Sequence, residues 1–177
     1  MTPFFSLQIL LLLALLGLAS AAAMTDLRSY RIPNRISLAI AAGFPIFALA
    51  GGADIRSGLF AGALVFAAGV FFYSRDWMGG GDVKLLAALS LWAGTELVLP
   101  MMIIITLTGG IMSVSEWLRT GGFNRFLVRH IPTMDGAIAL PAVRDRAVVP
   151  YAAAILAGAL YVTVSRAVIL FGSLEAF

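Results

Sequence analysis

Two aspartates, Asp26 and Asp82, each stand where a polar segment meets an apolar stretch long enough to enter a lipid bilayer. A carboxylate at the centre of a membrane helix costs about 2.5–3.5 kcal/mol on insertion scales, so acidic groups beside spans merit reading as chemistry. Two carboxyl groups that share a site cannot both ionise easily, and a protonated and an ionised carboxyl then coexist near neutral pH. The ionised one can act as general base on a water. The protonated one can polarise a scissile carbonyl and later protonate the leaving amine. Such a pair titrates as a unit, so which aspartate starts protonated cannot be read from sequence.

The surroundings of each aspartate give both an ordinary and a chemical reading. Asp26 opens the run Asp26-Leu27-Arg28-Ser29-Tyr30-Arg31-Ile32-Pro33-Asn34. Alone, an acid in a basic loop is usually a solvated charge. Pro33 disfavours helix at the residue before it, which predicts a turn there, and Asn34 suits the N-cap of the next helix. Asp82 closes Gly79-Gly80-Gly81-Asp82. Such a run is often only a flexible connector. Glycines also let another backbone approach closely, so Gly79, Gly80 and Gly81 can shape a path for an extended peptide beside Asp82. Asp82 is expected at a helix start, where the dipole favours its charge, and Lys84 can hold it ionised or contact substrate.

Other chemistries find little support. The chain has no cysteine, hence no thiolate nucleophile and no Cys-based zinc site, and its single histidine is His130. A resident metal or cofactor is therefore not expected. Neither His-Glu-x-x-His nor Gly-x-Ser-x-Gly occurs, which argues against metalloprotease and serine-type sites.

The elements that must hold the two carboxyls are membrane helices. Apolar residues make up 61% of the 177 positions and charged residues only 12%, with a mean hydropathy of +0.99. A water-facing domain carries roughly 25% charged residues. This chain cannot cover itself with polar groups, so a soluble enzyme, a disordered segment and a nucleic-acid module are excluded. The fold class expected is an all-α polytopic membrane bundle of about six transmembrane helices, a single domain over 1–177, with spans near 4–23, 36–52, 57–73, 83–95, 97–117 and 151–171. The first is read as an uncleaved span, because no Lys or Arg precedes it. The fourth is short, and the region is interrupted at Gly94-Thr95-Glu96 and Pro100.

Charge sets the orientation. With the N-terminus outside, the inner segments 24–35, 74–84 and 118–149 hold 10 of the 12 Lys and Arg residues, as the positive-inside rule expects. Only Arg56 falls in an outer loop, and Arg166 is expected to snorkel from the outer end of the last helix. Asp26 and Asp82 then lie at inner span ends on the same side. In the cytoplasmic loop 118–149, Phe123, Phe126, Leu127 and Ile131 recur at helical spacing, which fits a short amphipathic helix on the inner leaflet or a plain basic connector.

Together, Asp-x-Arg-x-x-Arg-Ile-Pro-Asn at 26–34 and Gly-Gly-Gly-Asp-Val-Lys-Leu-Leu-Ala-Ala-Leu at 79–89 resemble the type IV prepilin peptidase family, intramembrane aspartic proteases of the GxGD class. Val149-Pro150-Tyr151 is similar to that family's C-terminal proline motif. The resemblance implies that Asp26 and Asp82 are the catalytic pair and that the substrate is a prepilin or pseudopilin, whose short basic leader is cut at the cytoplasmic face. It also implies a place in the bacterial inner membrane beside pilus or secretion machinery. Longer family members carry an N-methyltransferase domain, often with Cys-x-x-Cys pairs, between the first span and the first Asp motif. Only Met24 and Thr25 fill that gap here, so the resemblance is to the short members that serve Flp-type (tight-adherence) pili. Asp76, Asp135 and Asp145 are candidates to receive a basic leader. Two other classes stay open: a non-catalytic scaffold of a pilus or secretion assembly, and a small transporter subunit.

Overall fold

Every apolar stretch among the described residues folds as α-helix. A computed structural model describes residues 4–29, 31–119 and 151–175. They form five helices: α1 (Phe5–Ser29), α2 (Asn34–Leu49), α3 (Ile55–Ser74), α4 (Gly80–Arg119) and α5 (Tyr151–Glu175). No strand occurs among the described residues. All but α2 are long and apolar enough to cross a membrane. With 16 residues, α2 is shorter than the roughly 20 a full crossing takes. The chain is a multi-pass membrane protein. Its exposed Leu, Ile, Val and Phe side chains, such as Leu38, Leu64, Leu107 and Val168, face a solvent as apolar as they are.

Two sequence expectations need correction here. The first helix does not stop near residue 23 but continues to Ser29, so Asp26 lies inside α1 and not in a following loop. Asn34 is not a helix cap: Pro33 occupies that position of α2 with no side-chain cap bond. The region expected as two helices, 83–95 and 97–117, does consist of two helical arms, labelled together α4, which meet at Gly94, whose φ of 64° and ψ of −176° are non-helical. The loop 118–149 lies almost wholly outside the described residues, together with its amphipathic stretch, Asp135 and Asp145.

Gly94 reverses the chain. Before it, Val83 packs at Gly69 and Leu91 at Gly62 and Gly58, so the first arm of α4 runs antiparallel to α3. After it, Met101 and Ile105 pack at Gly158, and Gly109 meets Tyr151 and Ala154, so the second arm runs back along α5. A positive φ is strained for residues with a Cβ. A Cβ at Gly94 would also lie 2.9 Å from Ser57 Oγ and 3.1 Å from Arg166 Nη2.

The break is capped on both sides. The Arg166 guanidinium donates to the Trp92 carbonyl (Nε, 3.0 Å) and the Ala93 carbonyl (Nη2, 2.9 Å), which end the first arm. Ser57 Oγ accepts from the Thr95 amide at 2.8 Å, the first of the second arm. Arg166 is therefore buried inside the bundle and does not snorkel. It provides what backbone groups need at membrane depth, an internal partner.

Close approach without a driving hydrophobic effect requires small residues at helix contacts. Gly58 and Gly62, one turn apart on α3, supply it against Leu91 of α4, whose carbonyl oxygen would lie 2.5 Å from a Cβ at Gly58. Trp92 is fully buried, with its ring 5.0 Å from that of Phe47 and its indole N–H donating to the Ile40 carbonyl at 2.9 Å. That bond ties α2 to the first arm of α4. Along α1, Asp26 meets Ala152 at one end and Phe5 meets Phe171 at the other, so α1 and α5 are antiparallel. The topology thus brings the C-terminal end of α1 and the N-terminal ends of α2, α4 and α5 to one end of the bundle.

Candidate active site

At that end, the last turns of α1 deliver Asp26 and the first turn of α4 delivers Asp82. Both line one cavity of about 320 Å³, together with Arg31, Ile32, Asn34, Gly79, Gly80 and Gly81. Each carboxyl lies within the field of the other.

Their settings differ. Asp26 is 8% exposed, and its Oδ2 accepts from the Ala152 amide at 3.1 Å. This amide belongs to the first turn of α5, where backbone N–H groups lack intrahelical partners and a negative charge is favoured. Asp82 is half-buried and accepts from the backbone of Gly79, the residue before α4, while the Gly79 carbonyl accepts from the Val83 amide. This is the acidic half of a capping box. Helix termini thus hold both side chains, one across the bundle and one locally.

The glycine run has specific steric work. A Cβ on Gly79 would sit 3.0 Å from Asp82 Oδ2 and one on Gly81 3.2 Å from Ile32 Cβ. Gly80 lies under the Tyr73 ring, where a Cβ would come within 3.3 Å. Any side chain at Gly79 or Gly81 would therefore push on the carboxylate or close the cavity wall.

Lys84 does not line this cavity. Its Nζ donates to Asn34 Oδ1 at 3.1 Å, linking α4 to the start of α2, and Asn34 lines the aspartate cavity on its other side. Asp76 is exposed in the turn after α3, with a φ of 58°. Sequence reasoning missed Ala152, whose amide leaves no trace in residue type, and undervalued Tyr151. The Tyr151 side chain lies within the field of Asp82 and packs beside Gly109; its place after Pro150 was the available signal. Among the described residues, no group of three or more His, Cys, Asp or Glu side chains could hold a metal ion.

Residues 10–114, which include both aspartates and the glycine run, match the type IV leader peptidase family. The chain belongs to that family. A stretch of 51 residues is also 43% identical to the prepilin leader peptidase/N-methyltransferase of Xanthomonas campestris pv. campestris, covering 29% of this chain and 17% of that protein. The chain thus matches only about a sixth of the length of this curated relative. No solved structure matches. Within this leader peptidase family member, two carboxyls on one cavity at the end of the bundle, beside backbone free of side chains, are groups suited to acid–base chemistry on a peptide laid along the glycines.

Proposed function

We propose that this protein is an aspartic endopeptidase that removes the leader of Flp-like prepilins at the cytoplasmic face of the bacterial inner membrane, with Asp26 and Asp82 as its catalytic residues. The observation that carries this reading is the convergence of those two carboxyls on one cavity, in a chain of the type IV leader peptidase family. The peptide enters extended over Gly79, Gly80 and Gly81. The ionised aspartate takes a proton from water, whose oxygen attacks the scissile carbonyl carbon. The protonated aspartate donates to the carbonyl oxygen. Collapse of the tetrahedral intermediate breaks the C–N bond: the neutral carboxyl gives its proton to the leaving amine while the charged one takes a proton from a hydroxyl of the intermediate, which regenerates one charged and one neutral carboxyl.

The orientation rests on charge. Arg28, Arg31, Arg35, Arg75 and Lys84 all belong to segments at the aspartate end of the bundle, whereas Arg56 lies at the end near Gly94. Lys and Arg accumulate on the cytoplasmic side, so the leader is cut there and the pilus or secretion machinery receives the mature pilin. The test is direct. Purified protein in nanodiscs is mixed with a prepilin, and loss of a leader-length fragment is followed by mass spectrometry. Wild type should cleave, and Asp26→Asn and Asp82→Asn should not; a wild-type rate in either variant would reject the assignment.

A further inference from the structure

A second, larger cavity of about 650 Å³ opens between α2, α3 and the first arm of α4. Its body is apolar, walled by Leu38 and Ala41 of α2 and by Leu59 and Phe66 of α3, with small residues Gly62, Ala63, Ala87 and Ala88 beneath. Its head is polar, formed by Asn34, Arg35, Ser37 and Lys84. Ser37 is 5% exposed, and its Oγ is buried with no hydrogen-bond partner among the described residues. Asn34 lines this groove and the aspartate cavity alike. From Lys84 to Leu91 the groove follows α4 for about 10 Å, or two helical turns.

Resting on the peptidase reading above, we propose that this groove seats the apolar helix of the prepilin on the C-terminal side of the scissile bond, with Ser37 and Lys84 donating to the carbonyls of the segment that enters it. A peptide drawn extended for hydrolysis loses its helical hydrogen bonds, and within a bilayer its carbonyls need protein partners. The groove offers donors where that need arises. Lys84 has three N–H donors and uses one on Asn34, and the Ser37 hydroxyl is uncommitted. Beyond the head, the need changes to close packing of one apolar helix, which small residues allow. A phospholipid would satisfy Arg35 and Lys84 through its phosphate, but its acyl chains would give Ser37 no acceptor and have no reason to end at the aspartates.

The chain has no cysteine, which permits a clean cross-linking test. Leu38→Cys and Leu59→Cys, both exposed on the groove walls, and Leu107→Cys, exposed on the second arm of α4, are made singly in an Asp82→Asn background. Each is mixed in nanodiscs with prepilins carrying one cysteine at successive positions of the apolar segment, and disulfides are formed with copper phenanthroline. The groove variants should form adducts at every third or fourth prepilin position, and Leu107→Cys none. Equal adducts at Leu107→Cys, or none at the groove, overturn the proposal and point to lipid in the groove. In an otherwise wild-type chain, Ser37→Ala should raise KM roughly tenfold with the melting temperature unchanged, since its hydroxyl has no protein hydrogen bond to lose. An unchanged KM counts against the role of Ser37. If wild type cleaves in an Asp82-dependent way but the groove variants do not cross-link, only the groove assignment fails. If wild type does not cleave, the peptidase reading fails first.

Discussion

The buried carboxylate of Asp26 accepts a hydrogen bond of 3.1 Å from the backbone N–H of Ala152, in the first turn of α5. One acidic residue therefore joins the C-terminal end of α1 to the N-terminal end of α5 and also faces Asp82. Chemistry and architecture are separable here because the two uses need different things. The helix terminus needs an acceptor, whereas hydrolysis needs a titratable carboxyl.

Asp26→Asn keeps an oxygen for the Ala152 amide, so it should insert and melt close to wild type while losing cleavage. Asp26→Ala should lose cleavage as well and, by orphaning a buried N–H, cost about 1–3 kcal/mol of stability. Thermal unfolding in detergent beside a prepilin cleavage assay separates the two. Equal melting temperatures for Asn and Ala would show that the Ala152 contact contributes nothing.

Gly79→Ala addresses the other carboxyl. Its new Cβ would sit 3.0 Å from Asp82 Oδ2, tighter than ordinary contact, so the carboxylate must give by a few tenths of an ångström within the cavity it shares with Asp26. Cleavage should fall roughly tenfold or more in kcat, with less change in KM, because the lost interaction belongs to the transition state. Steady-state kinetics on one prepilin checks this. A pure KM effect would instead assign Gly79 to peptide binding.

On the proposed mechanism, hydrolysis needs one ionised and one protonated carboxyl, and that sets the pH dependence. In acid both carboxyls are protonated and no base remains; in alkali both are ionised and no acid remains. Activity should therefore rise and then fall with pH, and the two limbs belong to the pair, not to either residue. A rate profile on prepilin in nanodiscs, with unfolding followed at each pH to set aside denaturation, is the measurement. A profile flat across the acid limb would mean that no ionised carboxylate is needed.

Asp26, Asp82 and the three glycines could be picked out of the sequence as candidates because residue type and local spacing mark them, and the fold brings them to one cavity. The break at Gly94 was half legible. Gly94-Thr95-Glu96 marked an interruption, but residue types alone could not show that one residue would reverse the chain with no loop between the arms. The end of α1 was misjudged because hydropathy falls after Ala23 while helical hydrogen bonding continues to Ser29. Polar residues lengthen a helix past its apolar core when another helix end, here that of α5, gives their side chains a partner. What could not be read at all depends on contacts distant in sequence: Ala152 on Asp26, Lys84 on Asn34, the apolar groove between α2 and α3, and Arg166 inside the bundle.

Arg166 offers the sharpest test of how the fold supports the site. It sits far from the aspartates along α5, yet its two hydrogen bonds close the arm of α4 whose other end is Asp82. Replacing it with methionine keeps an unbranched apolar stem but leaves the Trp92 and Ala93 carbonyls without their donor. Unsatisfied buried carbonyls cost about 1–3 kcal/mol each, and the second arm would still be held by Ser57 at Thr95. Arg166→Met should therefore lower the melting temperature markedly and reduce cleavage in proportion to the folded fraction, with KM for the surviving enzyme near wild type. Arg166→Lys should recover only part of the stability, because an ammonium is a point donor and cannot match a planar guanidinium that reaches two carbonyls at once. Thermal unfolding of the three proteins in detergent decides the matter. If methionine melts like arginine, then glycine geometry and Ser57 alone hold the reversal, and the buried cation has some other use.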